Sequence, residues 1–453
     1  MTAPGQRKRI VSLTMGTLGD LKMFLTLNIA LKAAGYDVCL AAPENFHAEI
    51  RAAGIEPARC GGDFKALMQA DGMQRFVRSS ISTQLLRLSV LPRDMRKMLK
   101  EGMSDAVAAA RGADLIITHP IVLNARDIAE SMNVPWVQVA PAPVTRTAEV
   151  PLCLYPGAYG ARINRLTYSL RHYEPLPYLR HMNKLRAGEL GLPPLSLAGA
   201  VQNARRRNAD VTLYPFGETI FPRPADWSDD ARLTGFWFSD EDHAPLPEDL
   251  NRFIERGDAP IFLGFGSMPG LDGDRAAMLI EACEALRLRA VVAAGWSGLD
   301  DLLRKSSSDR FHVIQYAPYQ KLFPKMRAVV HHGGLGTLAQ GLRAGRPTLA
   351  CPITMDQPFW GNRVEAIGVG PAPLPVAEWT PKRLRQALGE VAFVSSYAKR
   401  AADLASRFGN ENGIGSAVDI ISRALDAPRS ARPRPSIVSN PVPRGTPHWV
   451  AAD

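Results

Sequence analysis

The run Ala328-Val329-Val330-His331-His332-Gly333-Gly334-Leu335-Gly336-Thr337-Leu338 reads as a short apolar strand, a glycine-rich turn and the opening of a helix. That order builds an anion site out of backbone. The N–H groups of a helix's first turn point outward with a partial positive charge, and glycines let a diphosphate approach them closely. His332 and the Thr337 hydroxyl add side-chain donors. Such a turn also suits a dehydrogenase or plain close packing, so the flanking sequence has to decide. Downstream, Gly341-Leu342-Arg343-Ala344-Gly345-Arg346-Pro347 ends the helix, residues 348–351 form the next strand, and Asp356-Gln357-Pro358-Phe359-Trp360-Gly361-Asn362-Arg363 fills the loop after it.

Upstream the same rhythm recurs. Apolar runs at 261–265, 290–293, 312–315 and 328–331 alternate with helical stretches, and an earlier series has strands at 10–13, 37–41, 114–118 and 136–139, with a first helix around 21–34. Alternating strand and helix predicts parallel, doubly wound sheets. A chain of 453 residues is too long for one core. The Pro-rich, acidic stretch 239–247 marks the boundary, which gives an α/β protein of two Rossmann-like domains, 1–240 and 241–426, facing each other across a cleft. Residues 427–453 form a Pro- and Arg-rich tail that is expected to be disordered. Chemistry belongs in loops that follow strands, because doubly wound sheets bind ligands at their carboxyl edges.

Composition narrows the classes. No apolar run approaches the roughly 18 residues of a membrane-spanning helix, and the apolar residues after Arg7-Lys8-Arg9 lead into Gly16-Thr17-Leu18-Gly19-Asp20 rather than a cleavage site. A cytoplasmic location is expected, with peripheral membrane contact as an option. The net charge of +10 favours something anionic, but no aromatic-basic motif points to nucleic acid. Residues 64–103 mix apolar side chains with Arg75, Arg78, Arg87, Arg93, Arg96, Lys97 and Lys100. They read as solvated helical faces, as basic amphipathic helices resting on an anionic membrane, or as a site for an anionic small molecule. Cys39, Cys60, Cys153, Cys283 and Cys351 lack ligand spacing and read as reduced, buried thiols.

The segment 331–370 resembles the donor-binding signature of glycosyltransferase family 1, the UDP-glycosyltransferase superfamily. Within it, DQPFWGNRVEAIGVGP (356–371) is most similar to the bacterial and fungal sterol glucosyltransferase branch. Gly264-Phe265-Gly266-Ser267-Met268, Gly295-Trp296 and residues 316–324 extend the resemblance. It implies the GT-B fold and a nucleotide-sugar donor, UDP-glucose first, with UDP-galactose or a dTDP-sugar such as dTDP-rhamnose as options, and neither metal nor resident cofactor. On the donor side it implies that His332, Gly334, Gly336 and Thr337 hold the diphosphate with help from Ser267. Asp356 and Gln357 would bind sugar hydroxyls, and Tyr316 would stack on the base beside Ala317. Trp296 and Trp360 are as readily packing residues as ligand contacts.

Gly16, Thr17, Gly19 and Asp20 resemble the family's N-terminal Gly-Ser/Thr-Arg-Gly-Asp segment, with departures at Leu18, Lys22 and Met23. Transfer to a hydroxyl needs a base within hydrogen-bond reach. The family places a histidine or an aspartate at position 20 and, in plant enzymes, an aspartate at a later strand end that here falls on His119. The expectation is a reversed pair, Asp20 as base and His119 orienting it, against the plainer reading that Asp20 is the N-cap of the first helix. The implied reaction is inverting transfer of a hexose to a lipophilic hydroxyl compound: sterol, lipid, carotenoid, macrolide or polyphenol. Residues 64–103 and 152–159 are candidate acceptor lining. A nucleotide-sugar epimerase of the same architecture and a non-catalytic sugar-nucleotide or lipid binder are the alternatives.

Overall fold

The structure, a computed structural model, describes residues 7–79, 81–86, 91–155, 157, 159–206, 208–238, 244–265, 271, 273–293, 303, 308–408 and 411–427. The C-terminal tail from 428 onward, Ser267 and Trp296 lie outside the described residues.

Two parallel sheets organise the chain. The first comprises β1 (Arg9–Leu13), β2 (Asp37–Ala42), β3 (Glu56–Arg59), β4 (Leu115–Thr118), β5 (Trp136–Val139), β6 (Val211–Tyr214) and β7 (Ala231–Leu233), in the order β3-β2-β1-β4-β5-β6-β7. The second comprises β8 (Ile261–Gly264), β9 (Ala290–Ala293), β10 (Phe311–Ile314), β11 (Val329–His331) and β12 (Thr348–Ala350), in the order β10-β9-β8-β11-β12. Helices cover both faces of each sheet, so the central strands are apolar throughout: Ile10, Val11, Ile116, Ile117, Val329 and Val330 are all fully buried. Each such side chain stabilises the fold by about 1.5–3 kcal/mol relative to exposure.

In each sheet the strand order reverses once, between β1 and β4 and again between β8 and β11. The loops leaving two neighbouring strands diverge there and open a crevice at the carboxyl edge. The first turn of the helix after β1 carries Asp20 and the loop after β4 carries His119; the loop after β11 carries the His-Gly turn.

The first helix shows how local sequence sets this geometry. It spans Leu18–Ala33, three residues earlier than its apolar pattern indicates, because Thr17 is the N-cap and Asp20, at the third helical position, closes a capping box. Leu21, Phe24, Leu27 and Leu31 face inward, and buried Asn28 donates to Ser12 Oγ at 2.9 Å and to the Phe24 carbonyl at 2.8 Å. The chain then leaves the helix through Gly35 at φ +97°.

The two sheets are joined by an aromatic seam. Phe216 meets Trp360 edge-on at 5.0 Å, Phe221 meets Phe359 at 5.8 Å and Phe236 meets Phe408 at 5.5 Å. The helix Gly413–Asp426, which sequence order assigns to the second domain, packs on the first helix of the first, where Tyr36 Oη donates to Ser422 Oγ at 2.8 Å. Nothing local in a helix says which sheet its apolar face will meet. Across the cleft, buried Gln84 Nε2 donates to the Ile353 carbonyl at 2.8 Å, tying residues 81–86 to the loop after β12. All five cysteines are free and buried, as expected, and burial pushes the Cys39 thiol up to about 11 and that of Cys283 to about 12.

Candidate active site

At the first crevice β1 passes through Thr14, Met15 and Gly16 into the helix. Asp20 Oδ2 accepts from the Thr17 backbone N–H at 2.8 Å and from Thr17 Oγ1 at 3.0 Å. A Cβ on Gly16 would lie 2.3 Å from that oxygen, so the carboxylate rests where only glycine leaves room. The plain reading of Asp20 as N-cap is therefore corrected. Thr17 caps the helix, and Asp20 spends one oxygen on the capping box while turning the other, Oδ1, toward His119 Nε2 at 3.6 Å.

His119 continues the β4 ladder, its N–H donating to the Leu13 carbonyl at 2.9 Å. Its Nδ1 accepts from the Ile121 N–H at 3.3 Å, which leaves the proton of the neutral ring on Nε2. That Nε2 is buried with no hydrogen-bond partner among the described residues. Burial lowers the imidazole's proton affinity and the charge of Arg171 lowers it further, against the pull of Asp20, so the ring is held neutral. A neutral Nε2–H can donate to Asp20 or to a bound hydroxyl, and it cannot take a proton there. In this arrangement the carboxylate is the basic group.

At the second crevice β11 ends on His331, whose Nδ1 accepts from the Gly333 N–H at 3.0 Å. Gly333 has φ +93°, and a Cβ there would also lie 2.9 Å from the Gln357 carbonyl oxygen. A Cβ on Gly334 would lie 2.5 Å from His332 Nε2, so this glycine makes space for the imidazole. A Cβ on Gly336 would meet nothing within 4 Å, which marks the open side of the turn. The helix Leu335–Arg343 starts at Gly334 with no side-chain cap, leaving its N-terminal N–H groups to an incoming acceptor. Burial pushes His331 down to about 3, with His332 adding to the effect; burial likewise pushes His332 down to about 4, opposed by the Gly264 carbonyl. Buried polar atoms normally find partners. Here His119 Nε2, His331 Nε2 and His332 Nδ1 have none among the described residues, and all three lie at the two crevices.

The loop after β12 supplies the third element. Met355, mostly exposed, sits in the left-handed region at φ +58°, a strained position for a side chain of its size. Asp356 follows, its Oδ2 accepting from Trp360 Nε1 at 3.1 Å. Burial raises the Asp356 carboxyl to about 7, and the next largest contribution is the charge of Asp20. Asp20 and Asp356 come from different sheets, so that interaction places the two carboxylates in one electrostatic environment across the cleft.

Several expectations are sharpened. Trp360 is fully buried and packs between Phe216 and Phe359, so it positions Asp356 rather than facing a ligand. Gln357 Oε1 is taken up by the N–H groups of Ile353 at 2.8 Å and Thr354 at 3.0 Å, which pin the loop. The Ala317 methyl is buried in the core, leaving only its backbone for a ligand. Tyr316 is largely exposed, and Lys22 Nζ from the opposite sheet lies 5.5 Å from its ring centroid. Leu152 and Cys153 are buried core, and in 64–103 Met73, Phe76, Val77, Met98, Leu99 and Met103 point inward. Arg171, in the turn Leu170–Tyr173, was not singled out by sequence; its charge acts on His119 and on Cys153, which itself feels Asp356. No motif could have found it, because its position depends on how an irregular segment packs.

Residues 300–412 match the C-terminal domain of erythromycin biosynthesis protein CIII-like proteins. Over 448 residues the chain is 31% identical to a sterol 3-beta-glucosyltransferase of Arabidopsis thaliana, covering 96% of this chain and 67% of that protein. The chain belongs to glycosyltransferase family 1. This glycosyltransferase is also 30% identical over 431 residues to the O-mycaminosyltylonolide 6-deoxyallosyltransferase of Streptomyces fradiae, covering 91% of this chain and 96% of that one. A sterol 3-beta-glucosyltransferase of Glomerella lagenarium is 31% identical over 450 residues, which is 94% of this chain and 29% of that protein. Among solved structures, CalG4, the calicheamicin glycosyltransferase, aligns at a TM-score of 0.67 and 17% identity over 93% of this chain and all (100%) of its own. The glycosyltransferase VinC, in complex with dTDP, aligns at 0.62 and 19% identity over 92% of this chain and 99% of its own. Both share the two-sheet GT-B fold.

Proposed function

We propose that this glycosyltransferase is an inverting hexosyltransferase that moves glucose from UDP-glucose to a hydroxyl of a lipophilic small molecule, with a sterol as the first acceptor class to test. The observation that carries this reading is the opposition of Asp20 and His119, at one crevice, to the His332 turn and Asp356 at the other, with the charge of Asp20 acting on Asp356. The acceptor class rests on the relatives named for sterol transfer.

In the proposed step the acceptor hydroxyl enters beside Asp20 Oδ1. Oδ2 is already held by Thr17, so Oδ1 is the oxygen that takes the proton. The acceptor oxygen attacks the anomeric carbon as the bond from that carbon to the diphosphate breaks, and the diphosphate leaves with the electron pair. His119 Nε2–H orients the carboxylate and the incoming oxygen. The N–H groups at the start of the helix Leu335–Arg343, with His332 and Thr337, face the charge that grows on the diphosphate. A diphosphate beside His332 favours its protonated form, reversing the effect of burial. Asp356 and the amide nitrogen of Gln357 meet the sugar hydroxyls, and Tyr316 stacks on the base.

A deoxyhexose on dTDP is the second donor reading, favoured by the Streptomyces fradiae relative, which aligns over nearly its whole length. The test is mass spectrometry of product formed from UDP-glucose, UDP-galactose and dTDP-rhamnose with sterol, macrolide and polyphenol acceptors. Steryl glucoside from UDP-glucose supports the first reading. Product from the dTDP donor alone selects the second, and an isomerised sugar nucleotide without glycoside overturns both.

A further inference from the structure

Helix Ala161–Ser169 is amphipathic in the inverted sense. Its inner face carries polar side chains: Asn164 donates to the Ala148 carbonyl at 2.7 Å, and Thr167 Oγ1 accepts from the Leu152 N–H at 2.9 Å and donates to the Asn164 carbonyl at 2.6 Å. Its outer face carries an apolar stripe flanked by exposed Arg162 and Arg165. Ile163 is 52% exposed and Leu166 60%, and the stripe continues on the following turn through Leu170 at 44% and Tyr173 at 50%. The spacings of three, four and three residues keep these side chains on one side of a helical path. Of the ten exposed large hydrophobic side chains among the described residues, five lie within 159–173, so the exposure is concentrated rather than scattered. The helix Leu197–Arg205, packed against the same turn, opens on Leu197, also exposed at 66%.

Cations outnumber carboxylates around the stripe, although two of them are paired: Arg165 with Asp226 at 3.1 Å, and the largely buried Arg171 with Glu174 at 3.3 Å. From Val150 to Tyr173 the sequence has no Asp or Glu, while Arg162, Arg165 and Arg171 lie within it. Four residues past Tyr173 the same segment enters a cleft of about 720 Å³, which Pro177, Tyr178 and His181 line together with the helix Arg93–Ala109. Arg59, Arg93, Arg96, Lys97 and Lys100 line it against two carboxylates, Glu101 and Asp105. Arg59 is paired with Glu44 and Asp105, and Lys97 with Glu101; Arg93, Arg96 and Lys100 supply the excess.

We propose that the outer face of residues 161–173 docks on the surface of an anionic bilayer, its apolar stripe entering the acyl boundary while the neighbouring basic cleft meets lipid phosphates. An apolar stripe bordered by cations, with no acidic residue inside it, is what an interfacial helix requires. A second copy of this chain would bring the exposed Arg162 of each stripe against that of the other, which disfavours that occupant. Arg171 belongs to this segment and its charge acts on His119, so docking brings the acceptor side of the cleft to the membrane; this last point rests on the proposed lipophilic acceptor.

The experiment is co-sedimentation of the full chain with phosphatidylcholine vesicles, with and without phosphatidylglycerol, in the absence of donor and acceptor. Binding is then read whether or not the acceptor assignment holds. The expected result is binding that needs phosphatidylglycerol and weakens with salt. The double substitution Ile163→Ser, Leu166→Ser lowers the partition coefficient at least about tenfold, with an unchanged circular dichroism spectrum and unchanged turnover of a water-soluble acceptor. Arg93→Gln with Arg96→Gln lowers it on phosphatidylglycerol vesicles only. No binding by the wild type, or equal binding by the serine variant, overturns the proposal. So does a dimer in analytical ultracentrifugation that Leu166→Ser dissolves while vesicles stay unbound, which would make the face a subunit interface.

Discussion

Replacing Asp20 by Asn separates the two duties of that side chain. The capping box needs an acceptor for the Thr17 N–H and hydroxyl, and an amide carbonyl can take both bonds now made at 2.8 and 3.0 Å. Its NH2 would then face His119 Nε2–H, where Oδ1 now stands at 3.6 Å, so a donor meets a donor. The ring cannot relieve this by moving its proton without giving up the bond from the Ile121 N–H. The cost of the weakened cap is about 0.5–1 kcal/mol, and for a domain near 200 residues each kcal/mol is about 2–4 °C in Tm. Turnover should fall far more, by roughly 10²- to 10⁴-fold, the usual value of a positioned base. Steady-state kinetics and a thermal melt on the same preparation read the two effects. Turnover within about threefold of the wild type, against the base contribution just given, would refute the base assignment. Gly16→Ala is the companion test: its Cβ would lie 2.3 Å from Asp20 Oδ2, so it displaces the carboxylate without changing its chemistry, and kcat should fall with the acceptor pocket intact.

Four further outcomes are expected. His332→Ala should cost about 10²-fold in kcat, because it removes a donor at the developing diphosphate charge, and should weaken binding of free UDP in calorimetry. Asp356, raised to about 7, is protonated on the acid side of that value and an acceptor for sugar hydroxyls above it, so donor KM should fall as pH rises through about 7 and Asp356→Asn should flatten the profile. Trp360→Phe removes the indole N–H that favours the Asp356 carboxylate, so the midpoint of that pH profile should move upward while the fold is kept. Gln84→Ala leaves the Ile353 carbonyl without its cross-cleft donor, and the unsatisfied group should cost about 1–3 kcal/mol in chemical denaturation.

The sequence by itself carried the reaction class. Strand-helix alternation predicted two parallel sheets, and the glycines of the turn after β11 are fixed by local geometry: Gly333 by its positive φ, Gly334 by the space its neighbour's imidazole needs. Such constraints act within a few residues, so they leave a local pattern. The same holds for Thr17 and Asp20, whose spacing of three is a capping box legible in one dimension, although the apolar pattern alone places the helix start three residues late. Of the strands that no apolar run marked, β3 and β7 lie at the sheet edges and β3 has no buried residue, while β6 is buried only over Leu213 and Tyr214. Only the tertiary structure decided how the halves work together. The 3.6 Å approach of His119 to Asp20, the effect of Asp20 on Asp356, and the effect of Arg171 on His119 join residues about 50 to 340 positions apart. It also showed that Gln357 spends its carbonyl on its own loop and that Trp360 serves Asp356 from within the aromatic seam. Burial and charge are sums over everything nearby in space, and adjacency along the chain records little of that sum.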